Sequence, residues 1–190
     1  MEVASMIREV LSETEDRMKK SVEALQADLR AIRTGRASPA LLERVRVDYY
    51  GAPTNLIELA AISAPEPSLL VIRPWDTNSL KDIERAILQS DLGLTPSNDG
   101  KLIRLMIPPL TEERRRELSK VVSKRVEEAR VAVRNCRRDG LNDLREFEKE
   151  KMLTEDDFYE GKDDLQKLTD QYIEKVDEIG KAKEDEIMEI

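Results

Sequence analysis

The stretch that decides the fold is Thr111–Met152, TEERRRELSKVVSKRVEEARVAVRNCRRDGLNDLREFEKEKM. Its apolar residues Leu118, Val122, Ala129, Val133, Cys136, Leu144 and Phe147 recur at steps of three and four, the spacing of one helix face. A second pattern runs along the same segment. Arg130, Arg134, Arg137 and Arg138 stand together with no acidic residue among them. At 100° per residue, Arg134 and Arg138 fall roughly 140–180° from the centre of the apolar stripe, with Arg130 and Arg137 on its flank. One face is built to bury and the other concentrates positive charge. Solvated helix faces usually alternate in sign to gain pairs one turn apart. Here Arg130, Arg134 and Arg138 are themselves one turn apart, so the row is expected to repel itself and to stand unpaired. Every member is arginine rather than lysine, and the planar guanidinium suits bidentate phosphate contacts and stacking on bases. Arg33 and Arg36 form a second basic cluster far upstream.

Composition sets limits on what this face serves. The chain has 190 residues, 38% charged and only 4% aromatic, which favours long amphipathic helices over a thick globular core. Its net charge of -8 argues against indiscriminate coating of nucleic acid, and no DNA partner is expected. A local basic patch still acts at contact range, because distant charge is screened. The chain contains no histidine, which excludes histidine acid–base catalysis and histidine metal ligation. Gly93 to Gly100-Lys101-Leu102 has the wrong gap for a phosphate-binding loop and lacks the hydroxyl that would hold Mg²⁺. Glu155-Asp156-Asp157 reads as a solvated start of a helix, so neither a metal nor another cofactor is expected. Cys136 is the only cysteine and lies on the apolar stripe, as a packed thiol would. The first residues lack a basic segment followed by an apolar one, and no stretch of about 18 apolar residues exists. A soluble, cytoplasmic, monomeric protein with no membrane partner is the expectation.

Upstream, Ile7, Leu11, Met18, Leu25, Leu29 and Ile32 approach a heptad, with Val10 and Val22 beside them and Thr14 in one core slot. That predicts a helix of roughly 45 Å over 3–32, at 1.5 Å per residue. Gly35 suits a left-handed terminating conformation, and Ser38-Pro39 opens a short helix. The pattern then changes. Val45, Val47 and Tyr49 alternate as a half-buried strand does, before a turn at Gly51-Ala52-Pro53. Leu56 to Ile62 is a further candidate strand, closed by Pro65-Glu66-Pro67, and Leu69 to Ile72 another. Asn78 is placed to cap a helix burying Leu80, Ile83, Ile87 and Leu88. Thr95 to Gly100 reads as a polar loop, and Leu102 to Ile107 as a final strand. Downstream, Gly140 interrupts the long helical pattern, either breaking it or admitting a neighbouring helix. Thr154 and Asp157 form a capping box for a last helix with Phe158, Leu165, Leu168, Tyr172, Val176, Ile179 and Ala182 on one face. Three such stripes close into an antiparallel bundle. The predicted fold is therefore α+β: a discontinuous three-helix bundle, 1–34 and 110–190, with a small α/β domain, 35–109, inserted through two crossings. These crossings, Thr34-Gly35-Arg36 and Pro108-Pro109-Leu110, make a two-stranded hinge, since few contacts need to cross them.

Several segments resemble the ribosome recycling factor family. They are Ile32-Arg33-Thr34-Gly35-Arg36-Ala37-Ser38-Pro39, Asp48-Tyr49-Tyr50-Gly51, Ser90-Asp91-Leu92-Gly93-Leu94, Pro108 through Arg115, and Ala129 through Arg138. The resemblance covers essentially the whole chain in order. It implies an elongated bundle and a hinged small domain, together shaped roughly like tRNA. It also implies a non-enzymatic factor that binds the post-termination ribosome through large-subunit rRNA. With elongation factor G and GTP, such a factor separates the subunits and releases mRNA and tRNA. The family's rRNA-contacting arginines carry over onto Arg134 and Arg137, with Arg130, Arg138, Arg33 and Arg36 as supporters. Two positions depart from the family pattern: Cys136 replaces a common aliphatic residue, and Gly140 a common alanine. A helical protein-binding adaptor would explain the charged helices but not the arginine row. An enzyme with a lysine or carboxylate centre would need a small-molecule pocket in the inserted domain.

Overall fold

The computed structural model describes residues 2–189. By internal contacts the chain divides into two units. One joins the chain up to Ile32 with Glu113–Met188; the other holds Arg33–Glu112, together with Glu189.

The first unit is a bundle of three helices, α1 (Glu2–Arg30), α4 (Glu112–Lys149) and α5 (Glu155–Met188). The intervening α2 and α3 belong to the second unit. On α1 the buried positions are Ile7, Val10, Thr14, Met18, Val22, Leu25 and Leu29, steps of three and four residues that keep one seam inward. Helix α4 is continuous through Gly140 and buries Leu118, Val122, Val126, Ala129, Val133, Cys136, Gly140 and Leu144. Gly140 does not break the helix because its missing side chain is space used by a neighbour. A Cβ there would lie 2.5 Å from Thr14 Oγ1. The same holds on α5, where a Cβ on Gly161 or Gly180 would lie 2.9 Å from Leu144 Cδ1 or 2.5 Å from Val126 Cγ2. Those glycines displace the expected α5 stripe. Its centre runs through Phe158, Gly161, Leu165, Thr169, Tyr172, Val176, Gly180 and Ile187, while Leu168 and Ile179 are half-buried and Ala182 is exposed. The turn into α5 carries the expected capping box. Thr154 N–H donates to Asp157 Oδ2 at 3.0 Å, and Asp157 N–H to Thr154 Oγ1 at 3.2 Å. The Thr154 hydroxyl also donates to Asp157 Oδ2, and that bond, followed by the one from Thr154 N–H, holds the Asp157 carboxyl below its usual pKa. Inside the bundle, Tyr172 donates to Glu15 Oε1 at 2.9 Å.

The second unit is mixed. Ser38 Oγ accepts from Ala40 N–H and caps the short 3-10 turn Pro39–Leu42, as expected. Strands β1 (Arg46–Tyr49) and β2 (Ala52–Asn55) form a hairpin in which Tyr49 faces Ala52. Its two-residue loop is Tyr50-Gly51, with φ of 51° and 83°. Two positive φ values match the right-handed twist of the strands, so the turn precedes Ala52-Pro53 instead of containing them. Leu56–Leu59 is a helical turn, α2, and not a strand; it seats the fully buried Leu56. Strand β3 (Ala60–Glu66) begins only after it and runs through Pro65, which an edge strand tolerates. Strands β4 (Leu69–Pro74), β5 (Pro96–Asn98) and β6 (Ile103–Met106) complete an antiparallel sheet of order β3-β4-β6-β5. Thr95 to Gly100 is therefore partly strand, paired through Ser97 and Arg104. Helix α3 (Leu80–Gln89) buries Leu80, Ile83 and Ile87, but Leu88 is 59% exposed. Its entry is capped by Asp76 and not Asn78: Asp76 Oδ1 accepts from Asn78 N–H at 2.9 Å, opening a 3-10 turn that runs into α3. The core combines Leu42, Val47, Leu56, Leu70, Ile72, Ile83, Ile103 and Leu105.

Candidate nucleic-acid interface

Helix α4 presents the four arginines on the side that its period predicts. Arg134 and Arg138 are exposed, and Arg130 and Arg137 sit half-buried on the flank of the apolar seam. Burial of that seam against α1 and α5 fixes the rotation of α4 and thereby the outward direction of the row.

The expectation of an unpaired row does not hold. Arg130 Nε donates to Asp177 Oδ1 at 2.8 Å, and its Nη2 lies 2.6 Å from the same oxygen. The other side of the guanidinium is also engaged, with Nη1 donating to Glu127 Oε2 at 3.0 Å. The bonds to Asp177 and then to Glu127 raise the pKa of Arg130 further above its ordinary value. Glu127 reaches a second arginine, its Oε1 lying 3.5 Å from Arg134 Nη1. Carboxylates one turn earlier on α4 and across on α5 thus relieve the repulsion that spacing alone implies. Arg137 is held differently. Its Nη1 donates to the neutral amide oxygen of Gln166, which in turn donates through Nε2 to Asp170 at 2.8 Å. Arg137 Nε is buried without a hydrogen-bond partner. Arg138 makes no ion pair among the described residues. Asp139, next in sequence, is taken by Arg17 of α1 at 2.5 Å.

The structure brings Arg130, Arg134, Arg137 and Arg138 together on one helix. Arg33 and Arg36 belong to the other unit; both are exposed, and Arg36 Nη1 lies 4.0 Å from Glu189 Oε2. Beside them Thr34 is buried, and Gly35 has φ +72°. A Cβ on Gly35 would lie 3.1 Å from Leu110 Cγ, so the two chain crossings touch there. Sequence reasoning missed Glu127, Asp177 and Gln166. Glu127 stands three residues before Arg130, a spacing that signals pairing. Asp177 and Gln166 are visible only once the register of α4 on α5 is known.

A cleft of about 350 Å³ between the β1–β2 hairpin and α3 is lined by Arg46, Asp48, Asp82, Arg85 and Gln89, with no hydroxyl, thiol or imidazole in its lining. Among the described residues, no three acidic or cysteine side chains gather as a metal site, and no helix is long and apolar enough to cross a membrane.

Comparison with known proteins gives one consistent result. A family model described as ribosome recycling factor matches residues 25–188. The ribosome-recycling factors of Syntrophomonas wolfei subsp. wolfei and Halalkalibacterium halodurans are 58% and 59% identical over 185 residues, spanning 97% of this chain and 100% of each relative. A solution structure of the ribosome recycling factor superposes with a TM-score of 0.69 at 42% identity, over 97% of this chain and 98% of that one. Another match, with a TM-score of 0.62 at 48% identity over 95% and 98% of the two chains, comes from models of a T. thermophilus ribosome recycling factor and E. coli elongation factor G bound to the E. coli post-termination complex.

Proposed function

The chain belongs to the ribosome recycling factor family, and we propose that it binds the post-termination ribosome and, with elongation factor G and GTP, separates the subunits so that mRNA and tRNA are released. The observation that carries this reading is the exposed end of the arginine row. There Arg134 and Arg138 are exposed, with Arg137 half-buried beside them, on a helix whose apolar seam is packed in the bundle. Guanidinium groups so placed match rRNA phosphate oxygens in pairs, and phosphate contact supplies affinity without requiring a particular base. Arg134 and Arg137 are assigned the principal contacts, with Arg130, Arg138, Arg33 and Arg36 supporting them. The T. thermophilus relative, bound to the post-termination complex together with elongation factor G, supports the choice of partners.

The factor works in the cytoplasm as a monomer without chemistry of its own, and GTP hydrolysis belongs to the elongation factor. The bundle, 1–34 with 110–190, acts as the anchored wedge, and the domain 35–109 is the part displaced. Thr34, Gly35, Arg36, Pro108, Pro109 and Leu110 form the hinge. The chain passes between the domains twice in sequence, and few contacts need to cross two such strands.

The test is co-sedimentation of the R134Q/R137Q variant with post-termination ribosomes across a salt series. Two lost phosphate contacts should weaken binding at low salt and flatten the dependence of log K on log salt by about one to two. Wild-type affinity throughout the series would remove the arginine face from the mechanism.

A further inference from the structure

The arginine row is not uniform, and the gradation has a structural cause. A guanidinium offers phosphate two useful edges, each a pair of parallel N–H donors. Arg130 has both occupied: Asp177 takes Nε and Nη2, and Glu127 takes Nη1. It cannot grip a phosphate bidentately without surrendering a carboxylate. Glu127 also lies against Arg134, so two arginines and two carboxylates share the N-terminal half of the row. At the other end, Arg137 rests on an uncharged amide, and Arg138 has no carboxylate partner among the described residues. Net positive charge therefore accumulates towards Arg137 and Arg138. Near Arg130 an approaching phosphate meets two negative groups.

Resting on the assignment of this face to rRNA, we propose that Glu127 and Asp177 are attenuating residues that restrain Arg130 and part of Arg134, lowering the factor's affinity for the ribosome. The competing role is positioning, in which the carboxylates hold the arginines in the geometry that phosphate requires. The two roles predict opposite signs. Removing an attenuator strengthens binding, whereas removing a support weakens it.

The experiment measures binding of E127Q/D177N to large ribosomal subunits over a salt series. Both side chains are substantially exposed, at 55% and 46%, and the amides keep their shape, so the bundle is retained; thermal unfolding checks this. The expected result is binding tighter by about three- to ten-fold at low salt, with a slope on log salt steeper by roughly one as Arg130 becomes available. A second variant, E155Q/D156N, removes two acidic charges from the first turn of α5, away from the row, and should give no comparable gain. Unchanged or weaker binding, a gain without a steeper slope, or an equal gain in E155Q/D156N would each overturn the attenuation. R134Q/R137Q in the same titration separates the two claims. If it weakens binding while E127Q/D177N fails to strengthen it, attenuation alone falls; if it binds as wild type, the rRNA assignment falls first.

Discussion

Tyr172 shows how much a single residue can hold in a bundle this thin. Its phenol is buried, donates to Glu15 at 2.9 Å, and carries Lys175 Nζ 4.3 Å above its ring. Burial, followed by the bond to Glu15, pushes its pKa up to about 12. An unfolded tyrosine titrates near 10, so the neutral phenol's contribution is complete below about pH 10 and lost as pH rises towards 12. Urea midpoints of wild type should thus fall more steeply than those of Y172F between those limits. At neutral pH, Y172F should cost about 1 kcal/mol for the lost hydrogen bond. Parallel curves in the alkaline range would show that Tyr172 does not couple to folding. The arginines teach a related lesson about legibility. Which of them face outward followed from 100° per residue, but whether their charge was cancelled did not. The decisive carboxylate of Asp177 lies 47 residues from Arg130, on another helix.

At the scale of elements, the helices were readable and the small sheet much less so. A stripe repeated over many turns averages out any single exception, and Thr154 with Asp157 marked a start from local chemistry alone. In α5 the period survived, but its centre shifted onto Gly161, Thr169 and Gly180, residues that hydrophobicity does not flag. They are inside because the helices approach closely, a property of the pair and not of either sequence. Gly180→Ala tests this. Helix propensity favours alanine by about 1 kcal/mol. The added methyl would stand 2.5 Å from Val126 Cγ2, a stiff β-branched neighbour, and overpacking of this kind costs about 1–3 kcal/mol. The expected sum is a loss of stability, read by denaturant unfolding; stabilisation would mean that the helices separate freely. The sheet unit hid its details because its segments are short. Leu56 to Ile62 is a mostly apolar run of strand length, yet tertiary packing wound Leu56–Leu59 into a helical turn that buries Leu56. Asp76 outcompeted Asn78 as the cap because a 3-10 turn lengthened the entry to α3.

For the whole molecule, the main fact is nesting: a contiguous unit, Arg33–Glu112, lies in sequence between the parts of a bundle that has no other way to close. Its four-stranded sheet pairs only strands of this unit, and its core draws on no residue outside it. Fragment 33–112 should therefore fold alone and unfold cooperatively. In fragment 1–112, α1 should exchange its amide hydrogens without protection, because its stripe has no partners. Protected α1 amides in that fragment would show that α4 and α5 are not needed to hold it. The change from a helical to an alternating pattern near Gly35, and back near Pro108, was visible in the sequence because the two periods are incompatible on one face. During synthesis the same nesting imposes a timetable. The first helix is made first and satisfied last, waiting through the emergence and folding of everything inserted after it, until α5 leaves the exit tunnel. Its heptad is sparingly apolar, with Thr14 at its centre and charged residues on the rest of its circumference. Such a helix can wait in water without aggregating.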